Sequence, residues 1–269
     1  MTMVALEDLY RPYRPKRRTR ATIAKEKGLE PLAEILRAQA TTRTIEEEAT
    51  AFVDAEKGVE SVQDAIDGAK DILAEVYADD ADYRTKLRAM TKESGSLVAK
   101  AKDEEADSVY EMYYDFSEPI KKLVGHRILA INRGEAEKFL TVKIEAPRQE
   151  ILLWLVKQII GNMKHDSASY LYEAITDSYD RLIAPSIERE IRNELTEKAE
   201  EGAIGVFGKN LHQLLMQPPI SGQVVLGWDH RDLHTEASWQ LSMRPEKCLI
   251  PSLSTRQRDR KTMMRRSRC

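Results

Sequence analysis

Apolar residues recur at helical spacing through most of the chain. In SVQDAIDGAKDILAEVYADD, Val62, Ala65, Ile66, Ala69, Ile72, Leu73 and Val76 fall three and four residues apart, the pattern of a helix with one buried face. Leu32, Ile35 and Leu36 predict a short helix just after Pro31, a residue tolerated in a first helical turn. Tyr83, Leu87 and Met90 continue as a further helix beyond the Asp79/Asp80 break, and Ser94-Gly95 ends it. From Arg148 to Ile160 apolar residues surround the helix rather than lining one face, which predicts an internal helix started by Pro147. Between Ser167 and Gln217, Leu171, Ile175, Tyr179, Leu182, Ile183, Ile187, Ile191 and Leu195 form a stripe that runs through Pro185 as a kink or a restart. Pro218-Pro219 stops it.

Strand signals are few. Phe139 to Glu145 alternates and is β-branched. Leu97 to Val109 reads as a strand followed by an exposed polar loop. SGQVVLGWD reads as a glycine-led turn into a buried strand, Val224 to Trp228, with no partner strand left in the chain.

The charge distribution divides the chain of 269 residues. The formal charge is -3, but residues 230–269 hold ten Lys/Arg against four Asp/Glu, so a basic tail follows an acidic body. The other basic stretch is YRPYRPKRRTR, Tyr10 to Arg20, without an acid. Its prolines keep it extended, so Arg11, Arg14, Lys16, Arg17, Arg18 and Arg20 splay along a line with Tyr10 and Tyr13 as stacking faces, which suits a phosphate backbone. The alternative is pairing of these arginines with the acidic body.

Catalytic and metal signatures are sparse. No apolar run approaches the roughly 20 residues of a bilayer span, Glu7 and Asp8 stand where a signal peptide would be apolar, and Cys248 and Cys269 make no secreted scaffold. A cytoplasmic protein without membrane contact is expected. His126, His165 and His212 lie outside any triad or ligand pair. Asn132-Arg133-Gly134-Glu135 reads as a helix C-terminus closed by a left-handed glycine, with Arg133 and Glu135 tying it to neighbours. No GxGxxG, P-loop or CxxC motif occurs. No cofactor, metal, small-molecule substrate or catalytic residue is assigned.

Five segments together resemble the bacterial Tex family of transcription accessory proteins: LEDLYRPYRPKRRTRATIAKEKGLEPLA (Leu6 to Ala33), YYDFSEPIKKL (Tyr113 to Leu123), HRILAINRGEAEKFL (His126 to Leu140), DSYDRLIAPSIEREIR (Asp177 to Arg192) and GQVVLGWD (Gly222 to Asp229). The resemblance implies a mainly α chain: a multi-helix N-terminal Tex-like scaffold over residues 1–220 with a long central helix, one or two short strands and a disordered basic tail. Residues 221–229 would then be the first strand of a truncated RNase H-like domain of the YqgF type. Asp229 would stand where that fold places a metal-binding carboxylate, but one acid cannot hold two-metal chemistry, so a nuclease is not expected. The family motif continues Asp-Pro-Gly, whereas Asp229 is followed by His230-Arg231-Asp232. Codons chosen for the stretch from His230 and read two nucleotides further on give Pro-Gly and a strand–turn–strand pattern, so residues 230–269 are read as a frameshifted, non-native tail. The implied function is non-enzymatic binding of RNA or DNA through Arg11, Tyr13, Arg14, Lys16, Arg17, Arg18 and Arg20, with the transcription machinery as a further partner. A helical protein-interaction module without nucleic-acid binding of its own is the alternative.

Overall fold

A computed structural model describes residues 3–15, 17–103 and 107–218, and the backbone of 225–229, 238–244 and 247–253. The chain divides into two compact units, residues 1–205 and 206–269.

In the first unit, α1 (Met3–Tyr10), α2 (Arg20–Glu26), α3 (Glu30–Ala38) and α4 (Ile45–Thr50) precede the central helix α5 (Val62–Asp79). Ser61 starts α5 with a capping box shared with Asp64. Its buried face carries Ala65, Ile66, Ala69, Ile72 and Leu73 against α2, α3 and α4. The face then moves to Tyr77 and Ala78 and leaves Val76 exposed, because four residues on from Leu73 returns to the core side and three does not. Asp80 caps α6 (Ala81–Ser94) through the Tyr83 amide, so the Asp79/Asp80 break is a helix start.

Three strands form one antiparallel sheet in the order β2-β1-β3: β1 (Ser96–Ala101), β2 (Asp115–Pro119) and β3 (Leu140–Glu145). This exceeds the one or two strands expected, because DFSEP in β2 carries acids and a proline. The Ala101 amide donates to Tyr114 O and the Ile120 amide to Gly95 O, just before β1, so by alternation Pro119 faces outward, where its missing N–H costs no ladder bond. On the opposite edge, β3 buries Leu140, Val142 and Ile144 in strict alternation.

Between them, α7 (Gly125–Ala136) packs on β3. Gly134 lies inside this helix and is not left-handed. The left-handed residue is Lys138, φ 68°. Gly134 is needed for close approach instead: a Cβ there would stand 2.7 Å from Leu140 Cδ1 and 3.1 Å from Tyr110 Cδ1. Of the two residues expected to tie α7 to its neighbours, Glu135 does so through an ion pair with Arg192, whereas Arg133 pairs with Glu137 only four residues on. Asn132 adds a tie, its Nδ2 donating to Thr196 Oγ1 at 2.8 Å.

Then comes α8 (Arg148–Ile159), which is one-sided rather than internal. Ile151, Leu152 and Leu155 are buried, but Leu153 is 61% exposed. An apolar residue on the solvent side needs no partner, so its presence does not report burial.

The helical stripe from Leu171 is continuous: α9 (Ser167–Asp177), a π-helical segment Ser178–Ile183, and α10 (Ala184–Leu215). Leu171, Ile175, Tyr179, Ile183, Ile187, Ile191 and Leu195 are spaced by four. In a plain α-helix each such step turns the stripe about 40° away from the core. The wider π turns rotate it back, and they end two residues before Pro185, which has no N–H to give an α-helical bond. Ser178 Oγ donates to Ala74 O at 2.7 Å and anchors this segment to α5. Further along, Glu188 Oε1 accepts from the Ile144 amide at 2.9 Å and Arg192 Nη1 donates to Val142 O at 3.5 Å. Side chains of α10 thus cover the open edge of β3.

In the second unit, β4 (Val225–Asp229), β5 (Ser238–Arg244) and β6 (Lys247–Leu253) form an antiparallel sheet in that order. The strand ending at Asp229 therefore has a partner, with Trp228 opposite Trp239. Residues 230–237, 245–246 and 254–269 of the tail lie outside the described residues.

Candidate nucleic-acid interface

The basic segment is a strap between two helices. Pro12 sits at the second position of a single 3₁₀ turn, Arg11–Tyr13, that continues α1, so this part is turned rather than extended. Arg14 is then extended at φ −70° and ψ 129°, as a residue before proline must be. Thr19 ends the strap by capping α2 with Thr22, and its hydroxyl also donates to Glu75 Oε2 of α5 at 3.3 Å.

Its basic residues divide by partner. Arg11 Nε stands 3.5 Å from Asp79 Oδ1, and burial, followed by the nearby positive charge of Arg84, lowers its pKa. Arg20 lies near Asp71, whose carboxyl is pushed up mainly by burial, against the opposing charges of Arg181 and Arg20. Arg18 Nη2 pairs with Glu26 Oε2 at 3.3 Å, with both side chains well exposed. Arg14 and Arg17 are exposed, Tyr10 is 56% exposed and Tyr13 is 79% exposed. Lys16 lies outside the described residues. Tyr13, Arg14, Arg17, Arg18 and Arg20 are thus exposed, while Arg11 is half-buried and turns toward Asp79 of α5.

A buried ionic cluster holds the stem of the strap. Arg84 of α6 is fully buried. Its Nε donates to Asp8 Oδ1 of α1 at 2.7 Å, and its Nη2 donates to Ser186 Oγ at 3.0 Å and to Glu190 of α10. Arg88 donates to Asp8 Oδ2 at 2.7 Å and to Glu190 Oε2 at 2.9 Å. The cluster escapes sequence reading, because Asp8, Arg84 and Glu190 each look like ordinary helix-surface charges. The available signal is Arg84 and Arg88 one turn apart on the helix face that also carries Leu87 and Thr91.

Among the described residues, the histidines are structural or exposed. His165 Nδ1 accepts from the Ser167 amide and Nε2 lies 3.0 Å from Thr41 O, so His165 joins two loops. His212 is exposed on α10. Among the described residues, no group of three or more His, Cys, Asp or Glu side chains is arranged to hold a metal ion, and no helix is long and apolar enough to cross a membrane.

Fold and strap together define a helical scaffold that presents a short basic arm from its N-terminal side. The chain belongs to the Tex central region-like family, whose model matches residues 40–207. The arm precedes the matched span. The chain is 48% identical over 227 residues to the protein YdcI of Bacillus subtilis (strain 168), covering 83% of this chain and 32% of that protein. It is 35% identical over 243 residues to Protein tex of Bordetella pertussis, covering 85% and 31%. With the human S1 RNA-binding domain-containing protein 1 the identity is 32% over 243 residues, covering 85% and 24%. The chain spans a third or less of the length of these relatives.

Proposed function

We propose that this chain is the N-terminal and central scaffold of a Tex-type transcription accessory protein, and that it binds RNA or DNA without chemistry through the strap. The observation that carries the reading is the joint exposure of Tyr13, Arg14, Arg17 and Arg18 on the segment between α1 and α2, with no acid between Tyr10 and Arg20. Extended arginines can follow successive phosphates, and an exposed tyrosine offers a face to a base. The buried Asp8–Arg84–Glu190 cluster fixes the helix from which the strap leaves. The relatives' names point the same way: one is the transcriptional accessory protein Tex of Neisseria gonorrhoeae, another an S1 RNA-binding domain-containing protein.

The second reading, a protein-interaction scaffold without nucleic-acid binding, draws on the Arg11–Asp79 and Arg18–Glu26 pairs, which use strap charges internally. Fluorescence-anisotropy titration of RNA and duplex DNA against salt separates the two. Three phosphate contacts give a slope of log K on log salt of about −2 for single strands and about −3 for duplex. The triple change Arg14→Ala, Arg17→Ala, Arg18→Ala removes that slope if the strap is the interface. Binding that is unchanged by the triple change, or no binding by the parent chain, refutes the proposal.

A further inference from the structure

A cleft of about 200 Å³ opens where the π-helical segment passes the end of β3. Its polar lining is Tyr179 and Asp180 from the π turn, Glu188 one and a half turns into α10, Arg148 at the start of α8, and Thr91, whose hydroxyl donates to Leu87 O. Ile144 and Ile187 supply apolar wall.

Most of these polar atoms are already committed. Arg148 Nε and Nη2 hold Asp180 in a two-pronged pair at 2.9 and 2.7 Å, so those charges cancel. Glu188 Oε1 accepts from the Ile144 amide. Two groups are left over. Glu188 Oε2 has no hydrogen-bond partner among the described residues, and the Tyr179 hydroxyl, on a side chain 3% exposed, has none there either. Burial, and then the charge of Asp180, pushes the Tyr179 phenol up to about 12, so it keeps its proton and can both donate and accept. The cleft therefore carries one net negative charge, a neutral hydroxyl and an aliphatic wall. That set complements a positive head on an apolar stem.

We propose that the cleft binds an aliphatic primary ammonium group, with the stem along Ile144 and Ile187 and the ammonium between Glu188 Oε2 and the Tyr179 hydroxyl. A lysine side chain of a partner protein and a free polyamine share this chemistry. A guanidinium is disfavoured, because its planar fork seeks both oxygens of a carboxylate and Glu188 has one to give.

The test is a ¹H–¹³C methyl and ¹H–¹⁵N titration of the full chain with n-butylammonium, with n-butanol as neutral control. Saturable shifts confined to Ile144, Ile187 and their neighbours are expected with the amine and not with the alcohol. Glu188→Gln keeps an oxygen for the Ile144 amide but removes the charge, and Tyr179→Phe removes only the hydroxyl. At least tenfold weaker amine binding is expected for Glu188→Gln, and a smaller loss for Tyr179→Phe. No saturable shift by about 10 mM amine, equal binding of the alcohol, or full affinity in a folded Glu188→Gln variant overturns the proposal. Comparing Nα-acetyl-lysine methylamide with 1,5-diaminopentane identifies the source: a lysyl site binds both equally per ammonium, whereas a polyamine site prefers the diamine.

Discussion

Replacing Arg84 with methionine tests whether the buried ionic cluster holds α1 to the body. Methionine keeps the unbranched stem and removes the guanidinium. The change deletes charged hydrogen bonds to Asp8 and Glu190 and a bond to Ser186 Oγ. Charged hydrogen bonds contribute roughly 1.5–3 kcal/mol each, and breaking a buried ionic pair from one side costs about 3–5 kcal/mol. Two features pull toward the lower end. Arg88 still reaches both acids, and burial of the guanidinium, whose Nη1 has no partner among the described residues, is relieved. A loss of about 3 kcal/mol is expected, which lowers the melting temperature by about 6–12 °C for a unit of this size. Urea and thermal unfolding followed by circular dichroism measure it, and limited proteolysis should cut α1 first. Adding Asp8→Leu should restore part of the loss, because replacing both partners leaves no uncompensated charge. A loss of less than about 0.5 kcal/mol in the single variant, or strict additivity of the two changes, refutes the reasoning.

Four further outcomes follow from the packing. Tyr77→Phe should stabilise by about 1 kcal/mol in urea unfolding, since its buried hydroxyl has no hydrogen-bond partner among the described residues. Gly134→Ala should destabilise by about 1–3 kcal/mol, because the added methyl meets Leu140 at 2.7 Å in a filled core. Gly202, Gly205 and Gly208 sit on α10 with open space at each Cβ position, so alanine at all three should raise helix content and stabilise that stretch by up to about 1 kcal/mol each, measured by amide hydrogen exchange. Lys198, and then Lys92, holds the Glu194 carboxyl below its ordinary value. Its stabilising contribution is therefore present above the unfolded-state carboxylate pKa and lost as pH falls through the lower folded value; an NMR titration should move back up in Lys198→Met.

Helices with one apolar face were legible in the sequence because spacing alone reports them, as at Ala65, Ile66, Ala69 and Ile72. What spacing does not report is what the other face meets. Leu153 made α8 look internal, while Arg84, fully buried, looked like solvent-facing charge. The second strand hid in DFSEP because an edge strand can carry a proline and acids that an inner strand cannot. Gly134 was read through its commonest use, a left-handed cap, when the constraint was distance to Leu140. In the strap, residue types predicted a charged line, but only the fold shows Arg11 turned toward Asp79 of α5 and Tyr13, Arg14 and Arg17 left outward. The charge and hydroxyl at the β3 cleft lie 44 and 35 residues beyond Ile144, a juxtaposition no local pattern contains.

The cover over β3 has a consequence for how the chain is made. Strand β3 is complete at Glu145, but Glu188 and Arg192, which satisfy its outer Ile144 amide and Val142 carbonyl, lie 44 and 50 residues beyond those partners. At about 5–20 residues per second, the strand edge emerges from the ribosome several seconds before its cover does. During that interval its unpaired groups can template another strand, so nascent chains stalled after β3 has emerged and before residues 188–192 have emerged should be the form most prone to association and most in need of chaperones.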